Sequence, residues 1–329
     1  MWRLNVSLDA AVKVYIASNM ARNYGVRRIN NGVSRVELAM VENVMAPPHG
    51  SDGAPYELCT ASREEWNRYV QSEAQLLKSR RMAWWDDRVF IVELSSSLHE
   101  GPVLGVERAL IEATGTGRSH LKHRGSAYIG YHANWPDEIK DLIALLEPDD
   151  CFGPCPYLPG SVLPPGFYWS DFHTLIVEVG VCRGWGHCRQ EQGQAGPRRL
   201  ATLSEKADAW RHCPGVAYVF CIRISRSLRV CEYRLYSIVD GHFEDPDMEH
   251  APIEVNTVVQ FDARRLLGIP PGTPLPVGFN DPVQINLFDI VDPIIQGEKK
   301  RRAIKQAAAA TAHAAAAAGQ PPCRRQRRH

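Results

Sequence analysis

The sequence predicts a mixed α/β fold of the α+β kind, a sheet flanked by helices, and three observations carry that expectation. Thr174-Leu-Ile-Val-Glu-Val-Gly180 is a short apolar run, with four aliphatic residues among the five from Leu175 to Val179, as a buried strand requires. Two further apolar runs, Val216 to Ile224 and Leu228 to Tyr236, are separated by a short polar turn and read as a hairpin, the second alternating as a half-wet strand does. Between such runs, Trp66, Val70, Ala74 and Leu77, and later Leu200, Leu203, Ala207 and Trp210, recur at helical spacing.

Taken in order, Met1 to about Val44 suggests one or two strands and a short helix. A Pro/Gly-rich loop covers Ala46 to Pro55. Ser62 and Glu65 form a capping box that opens a helix from about Arg63 to Arg80. Arg88 to Leu94 is a strand candidate, and Val103, Val106, Leu110 and Ile111 mark a helix that Gly115 ends. Ser126 to Tyr131 reads as a strand, and Pro136-Asp137 starts a helix through Leu146, which makes Asp137 a helix-start residue. Arg183 to Arg199 reads as a basic loop, and Pro214-Gly215 stops the helix that ends near His212. Thr257 to Asp262 and Val283 to Ile290 are later strand candidates. The alanine-rich run to Ala318 has no apolar face to bury, so a frayed or disordered tail is expected.

The chain has 329 residues, enough for one large domain or two smaller ones, and its composition is that of a globular protein with a core of its own. A net charge of +1 provides no global field toward nucleic acid or membrane, although a local basic groove is compatible with it. No apolar window reaches the length of a membrane span, and Met1 to Asn5 lacks the pattern of a signal peptide. The expectation is an intracellular protein of nucleus or cytoplasm, without a membrane partner. The basic clusters Lys299 to Arg302 and Arg324 to Arg328 resemble nuclear-import or nucleic-acid-contact signals. Nine irregularly spaced cysteines argue for reduced thiols.

Chemistry is concentrated between Glu147 and Gly180. Glu178 interrupts an apolar strand, and a carboxylate there is costly unless it is paired or ligates a hard cation such as Mg2+. The acidic step Pro148-Asp149-Asp150 lies upstream. Alternatives remain open: Glu178 as an ion-pair partner, Pro-Asp as a turn starter, and a zinc site from Cys151, Cys155, His187, Cys188, His212 and Cys213.

The motifs Ser96-Ser-Leu-His99-Glu100, Pro148-Asp-Asp-Cys-Phe-Gly-Pro154, Val177-Glu178-Val179-Gly180 and Ala207-Asp208-Ala209-Trp210, in this order over about Arg88 to Val239, resemble the PD-(D/E)XK restriction-endonuclease-like superfamily, and within it a divergent fungal group. That resemblance implies a mixed central sheet flanked by helices over residues 88–295, an N-terminal extension over 1–87 and a basic tail over 296–329. It implies Asp149 and Glu178 as Mg2+ ligands near a scissile DNA phosphate, and Glu100, beside His99, as an accessory carboxylate. The superfamily's lysine two residues after the Glu is Gly180 here, and the Ser-Gln-Ser step common in the fungal group is replaced by Val181-Cys-Arg-Gly. Lys206, Arg183 and Gln190 are the available substitutes. The resemblance therefore implies a Mg2+-dependent nuclease with weakened or lost catalysis, or an inactive nucleic-acid-binding or protein-interaction module of the same fold.

Overall fold

The computed structural model describes residues 24–45, 55–93, 96–127, 146–181, 183–186 and 202–318. Among the described residues, helices α1 (24–35) and α2 (Leu38–Met45) come first, and the earlier half of the stretch expected to hold one or two strands and a short helix lies outside them. They are followed by β1 (Tyr56–Thr60), α3 (Arg63–Val70), a 3-10 turn at Ser79–Arg81, β2 (Met82–Trp85) and β3 (Arg88–Ile91). The three strands form an antiparallel sheet in the order β1-β3-β2. Asp86 and Asp87, both with positive φ, make the two-residue turn that joins β2 to β3, a geometry that Asp tolerates better than most residues. The Ser62–Glu65 capping box opens α3 as expected. The helix ends at Val70, ten residues early, because the Gln75 amide donates to the carbonyls of Tyr69 and Val70 at 2.8 Å each and the chain turns away. Ile29, Trp66, Tyr69, Met82 and Val89 form the core of this unit. The boundary expected at residue 87 thus falls inside a hairpin, and the strand from Arg88 belongs to the small sheet.

The larger sheet contains β4 (Leu121–His123), β5 (Asp150–Pro154), β6 (Leu175–Gly180), β7 (Tyr218–Ile224), β8 (Cys231–Val239), β9 (His242–Phe243) and β10 (Ala251–Pro252). Its order is β10-β8-β7-β6-β5-β4, with β9 paired to β8. Only β6 and β7 run parallel, joined across one face by α5 (Leu203–Trp210), so the sheet is mixed. Leu175, Val177 and Val179 point to the face covered by α4 (Ser97–Ala113), together with Phe220 and Ile222. Ile176 points the other way, into a second layer with Leu203, Ala207 and Trp210 of α5. Strand alternation assigns each residue of β6 to one of these layers.

Beyond the sheet, β11 (Val258–Phe261), α6 (Ala263–Leu267), β12 (Val283–Asn286) and α7 (Leu287–Ala318) complete the described chain, with β11 and β12 antiparallel. The strand expected to reach Ile290 stops at Asn286, whose side-chain oxygen accepts the Phe288 N–H and opens α7. Gly105 allows α7 to approach α4, since a Cβ there would lie 2.5 Å from Ile290. From Ala303 to Thr311 every side chain of α7 is exposed, in keeping with a run that has no face to bury. The helix crosses the boundary expected at residue 296. The strand expected over Ser126 to Tyr131 and the helix from Pro136, including Asp137, fall largely or wholly outside the described residues.

Candidate functional site

Glu178 shares the α5 face of β6 with Ile176, so its carboxylate meets that helix. One oxygen accepts from the Lys206 ammonium at 2.5 Å and the other from the Trp210 indole N–H at 2.7 Å. The capping box of Thr202 and Glu205 fixes the start of α5, and the spacing of one turn then puts Lys206 and Trp210 side by side over the strand. Lys206, which also donates to the Glu147 carbonyl at 3.3 Å, is buried. Its neighbour Asp208 pairs with Arg211 instead. Burial pushes the Glu178 carboxyl up, against the pull of Lys206 and Arg183 and with a further push from Asp149.

The register that pairs Asp150 with Val177 brings Asp149 level with Glu178, which is how two acids far apart in sequence become neighbours. Asp149 Oδ2 accepts the Val179 N–H at 2.8 Å and lies 3.3 Å from His99 Nε2. Burial works against the Asp149 charge, but His99, Lys206 and Arg183 outweigh it and hold the carboxyl well below its usual range. Asp150 points elsewhere, to His123 at 2.7 Å. Of the two adjacent acids, Asp149 is therefore the one that faces Glu178.

His99 and Glu100 arrive on the first turn of α4, where Ser96 accepts the His99 N–H. Arg81, buried at the end of the small sheet's 3-10 turn, donates to Glu100 and approaches His99 Nδ1 at 3.2 Å. By itself that approach would call for a neutral ring. Burial also disfavours the imidazolium, yet Asp149 at Nε2, with Glu100 and Glu93, holds His99 up at about 9. His99 and Arg81 keep Glu100 below its ordinary value, and Glu100 is the half-exposed rim of the cluster, with 44% of its side chain accessible.

Further charged groups close around these acids. Arg80 lies 3.5 Å from Glu147 and 4.0 Å from Asp149, and Arg183 lies 3.8 Å from Glu178 while donating to the Arg80 carbonyl. Glu93 accepts the backbone N–H groups of Val181 and Arg183 at 2.8 and 3.2 Å, fastening the small sheet to the turn after β6. Sequence reasoning missed Glu93, although it carries the same signal as Glu178: a carboxylate within an apolar run, costly to bury unless something pairs with it. It also missed Arg80 and Arg81, which look like basic residues in the last turn of a helix and carry no signal of their own.

Gly180, two residues after Glu178, is closed to any side chain. A Cβ there would lie 2.5 Å from the Arg183 carbonyl oxygen and 3.1 Å from Leu203. Gly180→Lys is therefore expected to destabilise by about 1–3 kcal/mol or more through overpacking, read as a lowered urea midpoint. An unchanged midpoint would show that the turn gives way freely.

As placed, these residues do not make a seat for Mg2+. Both Glu178 oxygens are taken by donors, Lys206, Arg183, Arg80 and His99 stand around Glu178 and Asp149, and among the described residues no group of three or more His, Cys, Asp or Glu could hold a metal ion. Within the cluster, the orphaned carboxylate atom is Asp149 Oδ1, buried without a hydrogen bond. Of the zinc candidates, Cys151 and Cys213 are buried in the core layer under α5, and Cys155 faces the Arg118 carbonyl. His187, Cys188 and Gln190 lie outside the described residues. Among the described residues, no helix is long and apolar enough to cross a membrane. No family model, curated protein or solved structure matches the chain.

Proposed function

We propose that this chain is a restriction-endonuclease-like protein of the PD-(D/E)XK kind in which Mg2+-dependent DNA cleavage is weakened or lost, and that it acts as a nucleic-acid-binding module. The observation that carries this reading is the ion-pair network: Glu178 is saturated by Lys206 and Trp210, and Asp149 is held by the Val179 N–H and His99. The quoted motifs fall on the start of α4, the acidic step into β5, β6 with Glu178 and α5, which supports the reading. A buried acid already holding its own lysine does not polarise a water or a phosphate oxygen. What it does is lock helix α5 to the sheet.

A second reading, an active nuclease, is favoured by one specific observation. Lys206 delivers an ammonium beside Glu178 from the following helix, supplying the group that Gly180 cannot, and Asp149 Oδ1 accepts no hydrogen bond. One experiment separates the two. With millimolar Mg2+ or Mn2+, the melting temperature should stay unchanged, because only an ion that binds the folded state raises it. Plasmid nicking should not exceed that of Asp149→Ala, while a labelled DNA strand still binds. Metal-dependent nicking that disappears in Asp149→Ala and Lys206→Ala would establish the second reading and overturn the first.

A further inference from the structure

Two consecutive arginines bring charge from the N-terminal unit, which carries the small sheet, into the acid cluster. They sit in the 3-10 turn Ser79–Arg81, where the chain passes from α3 to β2. Arg81 reaches Glu100 on α4, while Arg80 spans the two acids on either side of Pro148, with Glu147 at 3.5 Å and Asp149 at 4.0 Å. The backbone of this turn is held from both sides. The Ser79 hydroxyl and the Arg80 N–H donate to Glu147, the latter at 3.2 Å, and the Arg80 carbonyl accepts from Arg183. The Arg81 carbonyl accepts the N–H groups of Val92 and Glu93 at 2.9 and 3.1 Å, and Glu93 in turn accepts from Val181 and Arg183. The Arg80 guanidinium is thereby fixed over the acidic step that leads into β5.

The contact between Arg80 and Asp149 is ionic without being a hydrogen bond. Arg80 Nε and Asp149 Oδ1, the two atoms 4.0 Å apart, are both buried and both without a hydrogen bond. Arg80 therefore supplies the charge that a buried carboxylate needs and leaves the lone pairs of Oδ1 unspent. We propose that Arg80 is the resident cation of the acidic step, a guanidinium standing where a divalent metal ion would neutralise Glu147 and Asp149, so that the N-terminal unit plugs the cluster against metal. The proposal rests on the restriction-endonuclease-like reading above, which gives Asp149 the role of a metal ligand. It accounts for the poor fit of these residues to Mg2+, because the plug already provides the positive charge that the ion would bring. It also says what removes the misfit. Mg2+ and Mn2+ need only one or two carboxylates and fill the rest of their shell with water, so taking the guanidinium away is enough to let an ion approach Asp149.

The test uses the full chain and reads Mn2+ binding as a rise in melting temperature, with no assay of cleavage. In about 5 mM Mn2+, Arg80→Gln should gain about 3 °C and the parent less than about 1 °C. Arg80→Lys, which keeps the charge, should behave as the parent does. Arg88→Gln, which frees the half-exposed Glu57, should gain no more than the parent, and Arg80→Gln/Asp149→Asn should lose the gain. No gain in Arg80→Gln, or a gain that survives Asp149→Asn, would overturn the proposal and leave the reading of lost cleavage intact. A parent that gains as much as Arg80→Gln would overturn both. If Arg80→Gln is unfolded in EDTA, folding regained on adding Mn2+ supports the proposal as directly, and a chain that stays unfolded in Mn2+ overturns it.

Discussion

Glu178→Ala is expected to lower the unfolding free energy by about 3–5 kcal/mol, the range for removing one member of a buried ion pair. The cost comes from what is left behind. Lys206 is buried, with Asp149 and the Glu147 carbonyl nearby, and the Trp210 indole N–H loses its acceptor. Arg183, also buried, keeps its donation to the Arg80 carbonyl but loses the acid 3.8 Å away. Lys206→Ala should cost less than Glu178→Ala, because the carboxyl, already pushed up by burial, can take a proton and become neutral. The double variant Glu178→Ala/Lys206→Ala should therefore lose clearly less than the sum of the singles, a coupling of about 1–3 kcal/mol in a urea-unfolding cycle. Additive losses, or a Glu178→Ala cost below about 1 kcal/mol, would mean that solvent reaches this layer and that the pair is not what holds α5 to β6.

Much of this arrangement was legible in the sequence, and the physical reasons are specific. Alternation along Leu175 to Gly180 put Glu178 on a face opposite to Val177 and Val179, and helical spacing put Lys206 and Trp210 on one face of α5. What alternation cannot show is which helix covers which face, so nothing in the sequence marked Lys206, rather than Arg183 or Gln190, as the closest partner of Glu178. The role of the N-terminal unit was hidden for a similar reason. Arg80 and Arg81 lie far upstream of Asp149 in the chain, and nothing local distinguishes a guanidinium that folds back onto an acid from one in water. The shortening of α3 was hidden too, because it depends on one side-chain amide, Gln75, choosing two backbone carbonyls over solvent. Each of these misses involves a long side chain whose partner is set by tertiary packing rather than by period.

The pairing of His99 with Asp149 leads to the second large effect, a loss of stability at alkaline pH. His99 is held at about 9 in the folded protein against 6.5 when free, so the folded state binds its proton more tightly than the unfolded state does. A group raised in this way contributes fully below about pH 6.5, and its contribution fades as pH rises through about 9. At roughly 1.4 kcal/mol per pH unit the full effect is on the order of 3 kcal/mol. Asp149 works in the opposite sense: its folded value is depressed below 3.8, so its contribution is present above that value and is lost only as pH falls through the lower, folded one. The pair is therefore strongest between about pH 4 and 6.5. The stability difference between the parent and His99→Gln, from urea unfolding at a series of pH values, should shrink by about that 3 kcal/mol between pH 6 and 10, because groups common to both cancel. Following the His99 ring carbon by NMR gives the site-resolved version. A ring that titrates below 6.5 would mean that Arg81 donates to a neutral imidazole and governs the site. The cluster would then be organised around the guanidinium, with Glu100 rather than Asp149 as its principal acid.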